Sequence, residues 1–281
     1  MPGKLRNDGF ALLIWSSAIL LTLIMSWLLG DLIWRGASHL SWAFLVTGPE
    51  NAGRAGGISS ILVATLMILL VAIITAVPPG LAAAVWLAEY AAAGSRTAGT
   101  IRMGLDVMAG IPSIVFGLFG NACFCVYLGL GYSILSGGLT LACMILPLFI
   151  RTCENGLRRV NNDWRLGASA LGMSRASAVW YILLPAAAPA VLAGLMLGVG
   201  RAAAETAALV FTSGYVDRMP SSLNDSGRAL AVHIYDLSMN ITGGDTAAYA
   251  TAMVLVAIIV MINLLMFTLS RHWLSARVSL V

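Results

Sequence analysis

The chain has 281 residues, of which 59% are apolar and only 10% charged, with a formal net charge of +4. A soluble domain carries about 25% charged residues. With a mean hydropathy of +0.90, the chain cannot cover itself with polar surface, so composition excludes a soluble globular protein and predicts an all-α integral membrane protein. The positive charge does not point to nucleic acid. Lys4 is the sole lysine, no basic run occurs, and the arginines fall in short loops, as membrane topology requires.

A helix needs about 20 apolar residues to cross a bilayer. Six segments qualify, roughly 10–34, 58–77, 104–128, 134–153, 186–211 and 247–270. The chain opens MPGKLRNDG and then runs for about 25 mostly apolar residues. That is longer than the roughly 7–15 residues of a cleavable signal core, so it reads as a retained first span. With the amino terminus inside, Lys4, Arg6, Arg96, Arg102, Arg151, Arg158, Arg159, Arg165, Arg175, Arg271 and Arg277 fall on the inner side. Arg35, Arg54, Arg218 and Arg228 fall outside. Eleven against four predicts both termini in the cytoplasm. No soluble domain, linker or repeated unit is visible, so residues 1–281 read as one transmembrane domain.

The first external loop, around 35–57, carries Trp34, Trp42, Gly48-Pro49 and Gly53, an interfacial aromatic cluster with turn signals. The second span ends at Val77-Pro78-Pro79-Gly80, where two lost donors predict a break. The following LAAAVWLAEYAAA is then amphipathic enough to lie along the inner interface with Glu89 in water. In the third span Ile111-Pro112 predicts a kink, and Ala109, Ser113 and Gly117 form a stripe of small residues. Pro147 interrupts the fourth span, and Arg151 ends it after LPLFI, three residues before Glu154. Arg151 is either a snorkelling inner-side arginine or a second contact for an anion. Cys123, Cys125, Cys143 and Cys153 lie in or beside apolar segments without nearby histidine and read as small buried residues.

Residues 160–185 are a polar interruption between two apolar segments, placed on the cytoplasmic side by the charge count. An ordered, Ala/Gly-rich helical loop there predicts a docking surface. The fifth span follows Leu184-Pro185 and carries Ala190, Gly194, Gly198 and Ala202 at intervals of four, a smooth packing stripe. Arg201 and Glu205 lie four apart near its outer end, on the same helix face. Intramembrane charges usually face a protein interior or a watery path. Two readings stand: a self-neutralising structural pair, or an arginine that meets a passing anion while the glutamate holds it in place. A guanidinium suits a tetrahedral oxyanion because its fork donates two parallel hydrogen bonds. In the last external loop, 229–239 predicts a short amphipathic helix on the outer face.

No phosphate-binding loop of the G-x-x-x-x-G-K-[ST] type occurs, so the chain is not itself a P-loop ATPase. No His-Glu-x-x-His and no nucleophile triad is visible, and enzymatic chemistry is not expected. His39, His233 and His272 stand alone, at positions that read as interfacial.

Four fragments in order carry a resemblance: GIPSIVFGLFG (110–120), LPLFIRTCENGLRRV (146–160), the 160–185 loop, and RAAAETAALVFT (201–212). Together they resemble the A-type permeases, PstA, of phosphate ABC importers, from about residue 56 to the carboxyl terminus. The loop has the family's coupling spacing, with Ala168, Gly172, Ile182, Leu184 and Pro185 in place. Leu166 stands where the family's glutamate belongs and Gly167 where its first alanine belongs. The resemblance implies a six-span MetI-like permease in a bacterial inner membrane. It implies pairing with a C-type (PstC-like) permease, a cytoplasmic PstB-like ATPase dimer that binds the ATP and Mg, and an external PstS-like phosphate-binding protein. No cofactor is implied in this chain. It further implies that Arg151 and Arg201 serve phosphate passage, with Glu205 in the same run. The alternatives are a permease for molybdate, sulfate or phosphonate, and a secondary transporter, for which the expected internal repeat is missing.

Overall fold

The computed structural model describes the backbone of residues 2–92 and 94–278 and the side-chain surroundings of 10–92 and 94–269. Lys4, Arg6, Arg271, His272 and Arg277, used above, have side chains outside the described residues.

Helix α1 (Pro2–Ala37) provides the first span, Phe10–Ala37, and none of its most apolar stretch is buried within the chain. A short helix, α2 (Trp42–Val46), capped by the Ser41 hydroxyl, leads to an antiparallel hairpin of β1 (Pro49–Glu50) and β2 (Ala55–Gly56). Pro49 pairs with Gly56, and Glu50 with Ala55.

Helix α3 (Ser59–Val85) runs unbroken through Pro78 and Pro79 and continues in wider turns to Tyr90. The break expected after Val77 does not occur. Each proline removes one donor, but an unwound chain in lipid would leave more backbone groups unpaired. Packing holds the helix in line: a Cβ at Gly80 would come within 2.7 Å of the Phe149 ring. The span is therefore Ser59–Tyr90, 32 residues, rather than 58–77.

Helix α4 (Arg96–Gly110) starts at a Ser95 cap, and α5 (Ser113–Gly120) continues in wider turns to Tyr127. The two are bent by 101°, far more than the kink expected within a 104–128 span. Pro112 forces Ile111 out of the helical region, to φ −69° and ψ 131°, which ends α4 outright. The expected Ala109–Ser113–Gly117 stripe is split by this corner: Ala109 is exposed, Ser113 half-buried, and Gly117 buried with a Cβ there 2.8 Å from the Ala208 Cα.

Helix α6 (Ile134–Arg159), capped by Ser133, is the most buried span and the centre of the bundle. Helix α7 (Asn162–Ala170) follows within the polar loop. Helix α8 (Arg175–Ala178), wider turns over 179–183 and α9 (Leu184–Ala203) then form one continuous span, Arg175–Ala203. The fifth span thus begins about ten residues before the expected 186. The wider turns ahead of Pro185 shift the preceding carbonyls, relieving the clash and missing donor that a proline brings to a regular helix. The span also ends earlier, at Ala203, followed by a break and the one-turn α10 (Ala207–Val210).

Helix α11 (Leu230–Met239) is present as expected, but it is not a surface helix. Leu230, Val232, His233 and Leu237 are fully buried. Helix α12 (Asp245–Val278) supplies the last span, Asp245–Leu269. Among the described residues, five long apolar helices plus the bent α4–α5 pair give the six candidate spans.

The core is α3, α6 and α9, brought close by small residues. A Cβ at Gly138 would meet Val71 at 2.4 Å, one at Gly156 would meet Ala190 at 2.1 Å, and one at Gly198 would meet Ile145 at 2.5 Å. The stripe read in the fifth span therefore does face α6, because lipid offers helices no hydrophobic drive and close approach must come from small residues.

Candidate functional site

Arg201 lies in the last turn of α9, half-buried. Among the described residues it makes no ion pair and no side-chain hydrogen bond. The other half-buried or buried arginines, Arg102, Arg151, Arg165 and Arg228, are all paired with carboxylates. Glu205 does not sit on the same helix face as expected. The helix stops at Ala203, and the turn through Ala204 carries Glu205 away, so that its Oε1 accepts the Ala208 N–H at 3.2 Å. Glu205 is buried and caps α10 rather than neutralising Arg201. The segment after the break is anchored to α5. A Cβ at Gly117 would lie 2.8 Å from the Ala208 Cα, and Asn121 donates to the Phe211 carbonyl at 2.8 Å.

Arg151 is in the opposite situation. Its Nε and Nη2 grip both carboxylate oxygens of Asp106 at 2.9 and 3.0 Å, and Nη1 reaches Glu154 at 3.3 Å. Glu154, 1% exposed, also receives Arg102 at 2.6 Å and Arg158 at 3.0 Å. Arg102 and Arg158 each donate further to the Leu87 carbonyl, at 2.9 and 3.2 Å, in the wide turns that end α3. The cluster fastens α3, α4 and α6 together. Glu154 and Arg158 were within reach of sequence reasoning, because an arginine three residues before a glutamate and another four after it share a helix face. Nothing in the sequence marks Asp106 or Arg102, which arrive from α4 only after the corner at Pro112.

The two arginines expected in one path do not meet. Helices α6 and α9 run antiparallel, with Gly156 against Ala190, Gly194 against Thr152 and Phe149, and Gly198 against Ile145. This register places Arg201 beside the region of Leu141, about ten residues of α6 from Arg151, or ~15 Å.

The 160–185 loop is ordered by its own chemistry. Asn161 caps α7, and Gly172 at φ +68° closes it, with Met173 N–H to Ala168 O and Gly172 N–H to Ser169 O, both 3.0 Å. This is the glycine-terminated helix stop that a left-handed residue allows. Arg165 pins the loop to α3: it holds Glu89 by two bonds of 3.1 and 2.6 Å and donates to the Leu157 and Val160 carbonyls at 2.8 Å. The hydrogen bond to Glu89 raises the Arg165 pKa beyond its ordinary value. Glu89 is therefore not in water: its side chain is 8% exposed. Ala168 is buried, while Trp164, Leu166 and Leu171 are exposed, and a Cβ at Gly167 would meet nothing within 4 Å. Trp164, Gly167 and Leu171, at spacings of three and four, make one open strip. Ile182 and Leu184 are half-buried and pack, with Val85 and Ala88, on the buried cluster of Leu157, Val179, Leu183 and Ala187, and Pro185 follows at the start of α9.

His39 is exposed, but His233 is fully buried rather than interfacial. Its Nδ1 lies 3.3 Å from Arg228, which pairs with Asp236, and its Nε2 has no partner. Among the described residues no group of histidine, cysteine and carboxylate side chains could hold a metal ion.

Residues 80–279 match the family of binding-protein-dependent transport system inner membrane components. The chain is 31% identical over 288 residues to the probable ABC transporter permease protein YqgI of Bacillus subtilis (strain 168), covering 98% of this chain and 95% of that one. It is 29% identical over 267 residues to the phosphate transport system permease protein PstA of Mycobacterium leprae, covering 93% and 87%. It is 38% identical over 195 residues to a PstA homolog of Mycoplasma pneumoniae, covering 67% of this chain but 29% of that longer one. Among solved structures it is similar to an inward-facing MetNI methionine ABC transporter, with a TM-score of 0.59 at 17% identity over 77% of this chain and 94% of that one. A bacterial alginate importer gives a TM-score of 0.59 at 13% identity, covering 92% and 98%. At these identities the structural likeness speaks for the fold.

Proposed function

Because the chain belongs to the family of binding-protein-dependent transport system inner membrane components, it is a membrane permease subunit of an ABC importer, and we propose that its cargo is inorganic phosphate. The observation that carries this reading is Arg201. It is a half-buried guanidinium with no carboxylate partner among the described residues, set where α9 breaks off within the transmembrane bundle. An unpaired charge in a span needs a watery path or a ligand, and a tetrahedral oxyanion supplies what a guanidinium fork lacks. The PstA relatives support phosphate among such anions.

In this reading the chain forms half of the path, and a C-type permease of the PstC kind forms the other half. A PstS-like protein delivers phosphate from outside. A PstB-like ATPase dimer docks on the open strip of α7 and binds ATP and Mg, since this chain has no phosphate-binding loop. The excess of inner arginines supports cytoplasmic termini and puts α7 on the ATPase side. ATP binding draws the two α7 helices together and opens the path outward, and hydrolysis returns it to facing inward. Glu205 holds the Arg201 segment in place by capping α10. Arg151, clamped by Asp106 and Glu154, sets the packing of the inner helix ends in this conformation.

The test is uptake of labelled phosphate by the complete reconstituted importer, with molybdate, sulfate and methylphosphonate as competitors. Phosphate uptake that resists all three at tenfold excess is the expected result. Uptake of one of them in preference to phosphate would move the cargo to that oxyanion and leave the permease role standing.

A further inference from the structure

A cavity of about 490 Å³ opens between the inner halves of α6 and α9, well away from Arg201. Thr152, Asn155 and Arg159 of α6 line one side of it, and small apolar residues of α9, among them Ala190 and Ala193, line the other. Thr152, Asn155 and Arg159 follow one another at three and four residues, so they share a helix face. A hydroxyl, a carboxamide and a guanidinium, the last two on exposed residues, thus line one side of an opening whose opposite wall is small and apolar. Arg159 makes no ion pair or hydrogen bond among the described residues, whereas its neighbour Arg158 is bound to Glu154 at 3.0 Å. No carboxylate lines the cavity. Its volume lies within the usual range for small-ligand sites.

The cavity also continues the line from Arg201. Arg201 is 11 residues past Ala190 on α9, which is three turns, within ~20° of the same side and ~16 Å away. We propose that Thr152, Asn155 and Arg159 form an inner, low-affinity subsite for the transported tetrahedral oxyanion, occupied between Arg201 and release. The proposal rests on the importer reading and adds a second station to it. Asn155 donates a single hydrogen bond to the anion and Arg159 donates two, while the Thr152 hydroxyl, whose proton goes to the Leu148 carbonyl at 2.8 Å, is left to accept from a P–OH group. The C-terminal end of α6, where carbonyl dipoles disfavour negative charge, keeps the binding weak. Weak binding suits a release site, because conduction requires a station that lets go.

Two measurements on the complete importer test this. In the first, Ala193→Cys places a reporter thiol on the apolar wall, and its labelling by a negatively charged thiol reagent is followed against a parent without the substitution. Inorganic phosphate at millimolar concentration is expected to slow that labelling several-fold, and Arg159→Gln to abolish the protection. In the second, Arg159→Gln is expected to lower phosphate turnover about tenfold, the scale of one charged hydrogen-bonding group. Arg159→Lys is expected to recover part of it, and Asn155→Ala to lower turnover less. Labelling that ignores phosphate, or protection that survives Arg159→Gln, overturns the subsite. If Arg159→Gln does not assemble, the phosphate effect on the reporter and the Asn155→Ala turnover decide instead. Protection without any phosphate uptake would keep the subsite and sink the cargo reading, whereas uptake without protection would do the reverse.

Discussion

Glu154 gathers Arg102, Arg151 and Arg158 while almost wholly withdrawn from solvent. Removing its charge leaves three guanidiniums with Asp106 as their one remaining carboxylate, and breaking a buried ion pair from one side costs about 3–5 kcal/mol. Glu154→Gln is therefore expected to lower the thermal unfolding midpoint sharply in detergent. Asp106 is 57% exposed, so Asp106→Asn should cost under about 1 kcal/mol. Equal shifts for the two would contradict the clustered arrangement. His233 of α11 gives a pH signature. Burial, with Arg228 beside it, pushes its pKa down from 6.5 to about 4, while Asp236 and Asp217 pull weakly the other way. As pH falls below its ordinary value, the unfolded chain binds a proton that the folded chain refuses. Stability present at neutral pH is thus lost progressively down to pH 4, by about 3 kcal/mol in all. His233→Gln, which does not titrate, should flatten the fall in unfolding midpoint over that range, and an unchanged slope would put the titration elsewhere. The Glu154 cluster cannot be read fully from sequence, because Asp106 and Arg102 reach it from another helix, and Arg228 meets His233 and Asp236 by folding back from the loop just before their helix. Glu154 could be read, because its partners on α6 sit at helical spacing.

At the scale of elements, the α7 loop gains its order from contacts that the coupling motif does not contain. Leu166, at the position the resemblance gives to a glutamate, points outward, 61% exposed, while Arg165 beside it ties α7 to Glu89 in the turns that extend α3. In a complex with its ATPase, Leu166→Glu should leave transport equal or better, since an exposed position accepts the charge. Under the proposed coupling cycle, Glu89→Gln should cut phosphate moved per ATP hydrolysed several-fold, because it cuts the tie between α7 and α3. Full transport in Glu89→Gln, or severe loss in Leu166→Glu, would contradict this division of roles. The loop was legible from Gly172 and the spacing to Pro185, since a left-handed glycine and a proline leave local marks. The fate of the prolines was not. Pro78-Pro79 and Ile111-Pro112 look alike as helix breakers, yet α3 continues and α4 turns by 101°. The difference lies in tertiary support: Gly80 is packed on Phe149, whereas Gly110, just ahead of the corner, has nothing within 4 Å of a Cβ position.

For the whole molecule, the small-residue stripe of the fifth span was legible and does hold α9 against α6, as Gly194 and Gly198 show. The six-span MetI-like bundle follows from hydropathy and from that close packing. What hydropathy could not supply was the register between α6 and α9. That register separates Arg151 from Arg201, while the break after Ala203 frees Arg201 from Glu205 and leaves its guanidinium without a carboxylate among the described residues. The measurement that tests the central claim most directly is ATP-driven phosphate uptake into proteoliposomes by the complete importer, comparing the parent with Arg201→Gln. The account predicts uptake that requires ATP and the binding protein and that falls at least about tenfold in Arg201→Gln, the cost of one charged hydrogen-bonding group. Unchanged phosphate uptake in an Arg201→Gln complex of normal assembly would contradict it.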